Sequence, residues 1–154
     1  MIVSSLQEFS QLLKLNHPIL AIDYGEKKTG IAISNQERTL SMPLKTIYEI
    51  QEKKKISAIL DLISTYSACA IVVGLPVHMD GKTSDQASVV LKFIDKLTAF
   101  SAIPIYLQDE RLTSKAADSL LKSLGMKRKE RNDRDDSIAA SMLLDTTLGS
   151  IAKL

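Results

Sequence analysis

The sequence contains no tryptophan and only one cysteine, Cys69, among its 154 residues. One cysteine cannot form an intramolecular disulfide, and a zinc site built on several cysteines is excluded as well. Cys69 lies in the apolar stretch SACAIVVGLP, where we expect a small buried residue more than a reactive thiol. Aromatic residues make up 5% of the chain, which argues against a module that binds single strands by stacking bases on rings.

Long hydrophobic runs are also missing. No apolar run approaches the roughly 18 residues of a membrane-spanning helix. The segment MIVSSLQEFSQLLKLNHP has no basic leader and no unbroken apolar stretch, so we expect no secretory signal, no membrane association and a cytoplasmic location. Apolar residues recur at helical spacing from Ile2 to Leu13 and predict a short amphipathic helix. We therefore expect an N-terminal helical extension, residues 1–16, and one domain, residues 17–154.

The net charge of +2 is too small to indicate a nucleic-acid partner by itself, but its distribution is uneven. Basic residues crowd into the segment GMKRKERNDRDD, which includes Lys127, Arg128, Lys129 and Arg131. Two interpretations stay open for this basic segment: a solvated loop, or a patch that binds the phosphates of a nucleic acid.

The remaining sequence alternates between strand and helix patterns. ILAIDY and TGIAISN, joined by the polar turn GEKK, predict a hairpin. TLSMPLKTI predicts a third strand, in which Pro43 indicates an edge position or a bulge. ACAIVVG and IPIYLQ predict two further strands, and helical patterns surround them. Strands in succession, followed by strands alternating with helices, predict a mixed α/β sheet with helices on its faces.

Carboxylates fall at the ends of these elements. Asp23 ends the first strand of the hairpin, Asp109 and Glu110 end IPIYLQ, and three aspartates, Asp136 among them, are expected at the start of the last helix. Because sites in open α/β sheets gather beyond the strand ends, these acids could meet in one cleft. Clustered carboxylates raise each other's pKa unless a cation lies between them, and hard oxygen ligands favour Mg²⁺ or Mn²⁺.

Each acid also has an ordinary structural interpretation, since an aspartate before a turn or at a helix start is commonly a cap. Asp23 is the hardest to explain in this way, because it follows a buried run and burying a lone charge is costly. Gly25 and Gly30 allow the hairpin backbone to approach a ligand. His78 could be a general base or a metal ligand, although a local hydrogen bond is the simpler expectation.

Four motifs carry a resemblance to a known family. AIDYGEKKTGIAIS, IVVGLPVHMDGKTSDQA, DERLTS and DDSIAASMLL occur in this order between Ala21 and Leu144. In these motifs the chain resembles the YqgF (RuvX) family, described both as Holliday junction resolvases and as pre-16S rRNA nucleases. The resemblance implies an RNase H-like fold, with a five-stranded mixed sheet, helices on both faces and an acidic site served by divalent metal.

Matched motif by motif, the resemblance implies that Asp23, Glu110 and Asp136 are the catalytic residues and the ligands of Mg²⁺ or Mn²⁺ in a two-metal-ion phosphodiester hydrolase. In related junction resolvases the second acid follows the fourth strand, whereas here that strand ends VVGLP and Glu110 would replace the missing acid. Arg111 would contact phosphate through its planar fork, or form an ion pair within the site. The expected nucleic-acid contacts are Lys27, Lys28, Arg111, Lys127, Arg128, Lys129 and Arg131.

The leading functional hypothesis is a nuclease that processes the 5′ end of pre-16S rRNA, as a monomer or weak homodimer. Cleavage of branched DNA at Holliday junctions is an alternative of the same class. A phosphate-loop ATPase or sugar kinase is opposed by the short chain and the single D-x-G hairpin. A non-catalytic nucleic-acid-binding factor would bind RNA but would not depend on Asp23.

Overall fold

The computed structural model describes residues 1–76, 85–109 and 128–154, with side chains in the last range described from Asp136 onward. The described strands are β1 Ile2–Val3, β2 Ile19–Asp23, β3 Thr29–Ser34, β4 Ser41–Ile47, β5 Ala70–Leu75 and β6 Ile105–Asp109. The described helices are α1 Leu6–Gln11, α2 Glu52–Tyr66, α3 Asp85–Thr98 and α4 Arg128–Ala152. None of these helices combines the length and the apolar character that crossing a membrane requires.

The strands form one mixed sheet in the order β1-β6-β5-β2-β3-β4. β2, β3 and β4 pair antiparallel, as expected for strands joined by short turns. β5 pairs parallel with both β2 and β6, because α2 and α3 return the chain across the sheet between these strands. The predicted mixed α/β class is confirmed.

The described sheet has six strands, not the five that were expected. Ile2 and Val3 pair parallel with Ile105 and Tyr106 and so add an edge strand, β1. The apolar spacing predicted a helix that includes Ile2, but α1 begins only at Leu6. A strand of two residues is too short to show alternation, so its pattern could not be separated from the helix that follows it.

Pro43 lies in β4, the strand at the opposite edge of the sheet. It pairs with Ala32, next to a register shift between Ile31 and Ala32. Proline has no N–H to donate to a ladder, so it is tolerated at an edge or a bulge. The prediction from TLSMPLKTI is confirmed on both counts.

Two apolar layers enclose the sheet. Alternate residues of the central strands, such as Leu20 and Ile22, pack with α2 and α3 on one face. The other set, such as Ile19 and Ala21, packs with α1 and α4 on the opposite face. Both faces of β2, β3 and β5 are therefore covered, and the residues of these strands are almost all buried.

The last helix starts earlier than the sequence analysis expected. α4 begins at Arg128, so Asp136 lies in the third turn and not at the helix start. Arg128, Lys129 and Arg131 likewise belong to the first turns of α4 and not to a loop. These turns are almost wholly polar, and without an apolar stripe they gave no helical periodicity to detect.

α4 crosses β3 in direct backbone contact at Gly30. A Cβ atom built on Gly30 would lie 1.9 Å from the carbonyl oxygen of Asp136 and 2.7 Å from the backbone nitrogen of Ser137. Side-chain carbons do not come this close to backbone atoms, so only glycine at position 30 lets the helix lie on the strand here. Gly30 was expected to let the hairpin backbone approach a ligand, but the group that approaches it in the structure is a helix of the same chain.

Gly30→Ala should therefore separate α4 from β3, with a loss of about 2 kcal/mol or more in the free energy of unfolding from overpacking against backbone. Gly149→Ala in the same helix is the control, because a Cβ there meets nothing within 4 Å. The control should stabilise the protein by up to about 1 kcal/mol through helix propensity. Denaturant unfolding of both variants checks this, and equal stabilities would contradict the contact.

Candidate active site

Asp23 is the last residue of β2 and is half-buried. Side chains alternate across a strand, and Ala21 packs with α4 while Ile22 packs with α2 and α3. The alternation therefore assigns the Asp23 side chain to the face of the sheet that α4 covers. Its register partner on β3 is Gly30, the residue that contacts the backbone of Asp136.

Asp136 is also half-buried, and it lies four residues before Ala140 on α4. Ala140 and Leu144, four and eight residues further along, are completely buried. Asp136 therefore lies on the row of α4 that these buried residues continue. Through Gly30 it places the backbone of Asp136 next to the strand position opposite Asp23.

On the other side of Asp23 the sheet carries few side chains. Ile22 pairs with Val73, so the next position of β5, level with Asp23, is Gly74. Gly74 in turn pairs with Gln108 of β6, whose Oε1 accepts a hydrogen bond of 3.0 Å from the Thr147 hydroxyl of α4. On the α4 face, Asp23 is therefore flanked by glycine on both neighbouring strands.

β6 ends with Asp109, and its side chain is assigned to the opposite face of the sheet from that of its neighbour Gln108. Leu107 packs in the layer of α2 and α3, and Asp109 has the same parity as Leu107. Asp109 is therefore assigned to the face away from Asp23. The expected site residues Glu110, Arg111 and Lys127 lie outside the described residues, as does His78.

The turn after Asp23 is fixed from the side of α2 by a buried lysine. Lys55 is 1% exposed, and its Nζ donates hydrogen bonds to the carbonyl oxygens of Gly25 (2.9 Å) and Glu26 (3.1 Å). The same Nζ lies 4.4 Å from the centre of the Tyr24 ring. Burial lowers the pKa of Lys55, while the charges of Glu52 and Glu26 act in the opposite direction.

Two further contacts hold this turn. The hydroxyl of Thr29, a completely buried residue, donates a hydrogen bond of 3.0 Å to the carbonyl oxygen of Gly25. The Tyr24 ring packs on Phe93 of α3, with 4.6 Å between ring centroids. The segment from Tyr24 to Lys28 is therefore tied to the strand that follows it and to two helices.

Lys55 and Thr29 were not predicted from the sequence. Lys55 lies four residues before Ile59, in the inward row of α2, so a charged residue on an apolar face was the signal that could have revealed it. Thr29 gave no such signal, because threonine is common at strand starts.

The basic residues expected to contact nucleic acid fall into two groups. Lys27 is exposed in the turn after Asp23, and Lys28 is half-exposed, with its Nζ 5.9 Å from the Tyr48 ring. The other group, Arg128, Lys129 and Arg131, lies in the helical turns before Asp136. Both groups belong to segments that adjoin a candidate acid in the chain.

The described side chains fit a divalent metal site in part. Asp23 and Asp136 supply the hard carboxylate oxygens that Mg²⁺ and Mn²⁺ prefer. Residues 1–76, 85–109 and 136–154 contain no group of three acidic, histidine or cysteine side chains able to hold a metal. The third expected ligand, Glu110, is not among these residues.

A mixed sheet covered by helices on both faces, with an acid at the end of a central strand and a second acid on the helix that lies on the neighbouring strand, is the arrangement of the RNase H-like class. The family described as "RuvX: Holliday junction resolvase" matches residues 17–150. The chain belongs to this family.

Relatives and solved structures agree with this assignment. Proteins of Rickettsia bellii and Rickettsia conorii, each named "Putative pre-16S rRNA nuclease", are 56% and 53% identical to this chain over 154 residues, which is 100% of both chains in each match. RuvC of T. thermophilus in complex with a Holliday junction substrate superposes with a TM-score of 0.57 at 13% identity, covering 88% of this chain and 96% of that one.

The Fowlpox virus resolvase, in complex with Holliday junction DNA, gives a TM-score of 0.52 at 16% identity, covering 87% of this chain and 98% of that chain. At such identities the two solved structures establish a shared fold, and the expected RNase H-like architecture is thereby confirmed.

The environment of Tyr24 predicts a dependence of stability on pH. Burial first, and then the charges of Glu52 and Glu26, raise the pKa of Tyr24 above 10.0, and Lys96 opposes them. Above pH 10 the unfolded chain loses a phenolic proton that the folded chain keeps, so stability falls as the pH rises toward the raised value.

Tyr24→Phe removes this loss. The variant should therefore gain stability relative to the wild type as the pH rises above 10. Urea unfolding at a series of alkaline pH values measures the difference in stability. Tyr66→Phe, at the end of α2, is the control for removing a phenol at another place. A difference in the free energy of unfolding between Tyr24→Phe and the wild type that stays constant with pH would contradict the prediction.

Proposed function

We propose that this protein is a metal-dependent nuclease that hydrolyses phosphodiester bonds of structured RNA, with the 5′ end of pre-16S rRNA as its substrate. The observation that carries the proposal is the contact between Gly30 and Asp136, because it sets the helical acid beside the strand position opposite Asp23. The names of the full-length relatives, at 53–56% identity, supply the substrate.

Asp23, Glu110 and Asp136 would hold Mg²⁺ or Mn²⁺ in this proposal. When bound, such ions would supply Lewis-acid chemistry for activating a water and stabilising the leaving oxygen. The three acids would serve as the oxygen ligands of the metal. Glu110 is favoured over Asp109 because it lies two residues after Gln108, which faces α4, whereas Asp109 lies only one residue after it.

Phosphate recognition in this proposal falls to Lys27 and Lys28 in the turn, to Arg111, and to the basic segment Lys127, Arg128, Lys129 and Arg131. Arg111 would contact a phosphate through two N–H groups of its planar fork. The first turns of α4 lead directly into Asp136, so basic side chains there would bind the backbone that flanks the scissile bond. The absence of tryptophan and the few aromatic residues agree with recognition of backbone and not of stacked bases.

Cleavage of branched DNA is the second candidate, favoured by the family description and by the fold shared with two junction resolvases. Incubation of pure protein with pre-16S rRNA and with a four-way DNA junction, each with Mg²⁺, Mn²⁺ or EDTA, separates the two. We expect metal-dependent cleavage of the rRNA precursor near its 5′ end. Cleavage of the junction alone would favour the second candidate, and undiminished cleavage in EDTA would refute a metal-dependent site.

Asp23→Asn and Asp136→Asn keep the side-chain shapes and remove one charge each. Both variants should fold and lose cleavage, with a small gain in stability if carboxylate repulsion is relieved. Asp61→Asn is the matched control, since Asp61 is exposed on α2 and should leave activity unchanged. Rates measured on the same rRNA substrate decide, and full cleavage by the Asp23 variant would exclude a catalytic role for this residue.

Asp135→Asn tests the choice between two neighbouring acids. Consecutive helical residues point about 100° apart, so only one of the two can head the buried row, and Ala140 and Leu144 assign that row to Asp136. We expect the Asp135 variant to retain activity. Asp135 cannot cap the start of α4, because this helix begins seven residues earlier, at Arg128.

Replacing Lys127, Arg128 and Lys129 by alanine should weaken RNA binding to a similar extent for every sequence. The slope of log affinity against log salt should become shallower by about 0.7 to 0.9 for each phosphate contact that is lost. Replacing Lys53, Lys54 and Lys92, three exposed lysines of α2 and α3, removes the same charge elsewhere. Equal effects of the two triple variants would indicate general charge and not a binding segment.

A further inference from the structure

Lys55 is the most deeply buried charged side chain among the residues that the structure describes. It is 1% exposed and donates to the carbonyl oxygens of Gly25 and Glu26. The one salt bridge among the described residues joins Lys96 to Glu52, so Lys55 has no carboxylate partner at ion-pair distance there. Its charge is met by two backbone carbonyls and the face of the Tyr24 ring.

Stability alone is a poor explanation for this lysine. Taking an ammonium group out of water is costly, and replacing buried charges by apolar residues of similar volume is often neutral or stabilising. Burial accordingly lowers the pKa of Lys55. An apolar residue, however, could not hold two consecutive carbonyl groups of the turn toward α2.

The direction of those carbonyls fixes the direction of the amides. The peptide bonds of the turn are trans, so each N–H points away from the carbonyl of its own peptide unit. With the Gly25 and Glu26 carbonyls directed at Lys55, the N–H groups of Glu26 and Lys27 are directed away from α2. Neither N–H has an acceptor within residues 1–76, 85–109 and 136–154.

The opposite side of the sheet from α2 is the α4 side, to which the alternation of β2 assigns Asp23. Successive backbone N–H groups in a turn form a concave site for anions. Lys27 adds an exposed ammonium group at the same place, whereas the exposed Glu26 side chain adds an opposing charge. The turn can therefore offer two amides and one cation to a phosphate close to Asp23.

We propose that Lys55 is a positioning residue, which turns the Gly25 and Glu26 carbonyls inward so that the amides of Glu26 and Lys27 bind a phosphodiester group beside Asp23. The ligand class is a nucleic-acid phosphate, and the proposal rests on the proposed nuclease function. Lys55 itself does not touch the substrate and acts through the turn.

The first test uses the free protein and does not depend on cleavage. Lys55→Met removes the donors and keeps a long apolar side chain, while Lys54→Met changes the exposed neighbour on α2. In ¹⁵N relaxation, the turn amides should fall from order parameters of about 0.85 to below about 0.6 in the Lys55 variant only. If Lys55→Met does not fold, Lys55→Gln, too short to reach both carbonyls, replaces it.

The second test follows the same amides during titration with a short RNA duplex in EDTA. The Glu26 and Lys27 resonances should shift in the wild type and in Lys54→Met, and should shift less in Lys55→Met. In cleavage assays with metal, Lys55→Met should lose about 100-fold in kcat, because a small misplacement of the reacting groups is enough for such a loss. Its KM should stay within about threefold, since most phosphate contacts remain.

Unchanged order parameters in Lys55→Met, or turn amides that do not respond to RNA in the wild type, would overturn the proposal. So would a kcat equal to that of Lys54→Met. A wild type that binds RNA through the turn but cleaves nothing would refute the proposed nuclease function and leave the positioning role of Lys55 supported. The two hypotheses therefore fail separately.

Discussion

The candidate site depends on the place where α4 lies against β3 with no side chain between them. At Gly30 the strand meets the backbone of Asp136 so closely that a single added carbon would overlap it. The same glycine is the register partner of Asp23. One backbone contact therefore sets the height of the helix on the sheet and places the Asp136 backbone beside the strand position opposite Asp23. A looser helix would leave Asp136 without a fixed relation to the strand end.

The hairpin is held from both faces of the sheet, and by different forces. On the α4 face the constraint is steric and lies at Gly30. On the α2 face it is polar, and Lys55 draws two carbonyls of the turn toward a buried ammonium group. Thr29 closes the turn on itself through the Gly25 carbonyl. A segment with this many ties has few conformations left, which is what a preorganised binding site requires.

Strong periodicity explains which features could be predicted from the sequence. The hairpin, the edge strand with Pro43 and the buried row of α4 all carried clear patterns of apolar residues, and the structure has them. β1 was missed because two residues show no alternation, and the start of α4 because its first turns are polar. Lys55 was missed for a different reason. Its role depends on hydrogen bonds to carbonyl groups that only the folded turn brings within reach of its Nζ.

The row of residues level with Asp23 bears on the proposal that an acid of this site comes from beyond β6. Asp23 lies between Gly30 and Gly74, neither of which has a side chain, and β5 then ends at Leu75 without an acid. The next side chain on the α4 face is Gln108, two strands from Asp23 and about 10 Å away. Gln108 is bonded to Thr147 and is not an acid. The first acid after Gln108 that is separated from it by an even number of residue steps is Glu110. This spacing explains physically how an acid of the D-E-R motif could replace one that β5 does not supply.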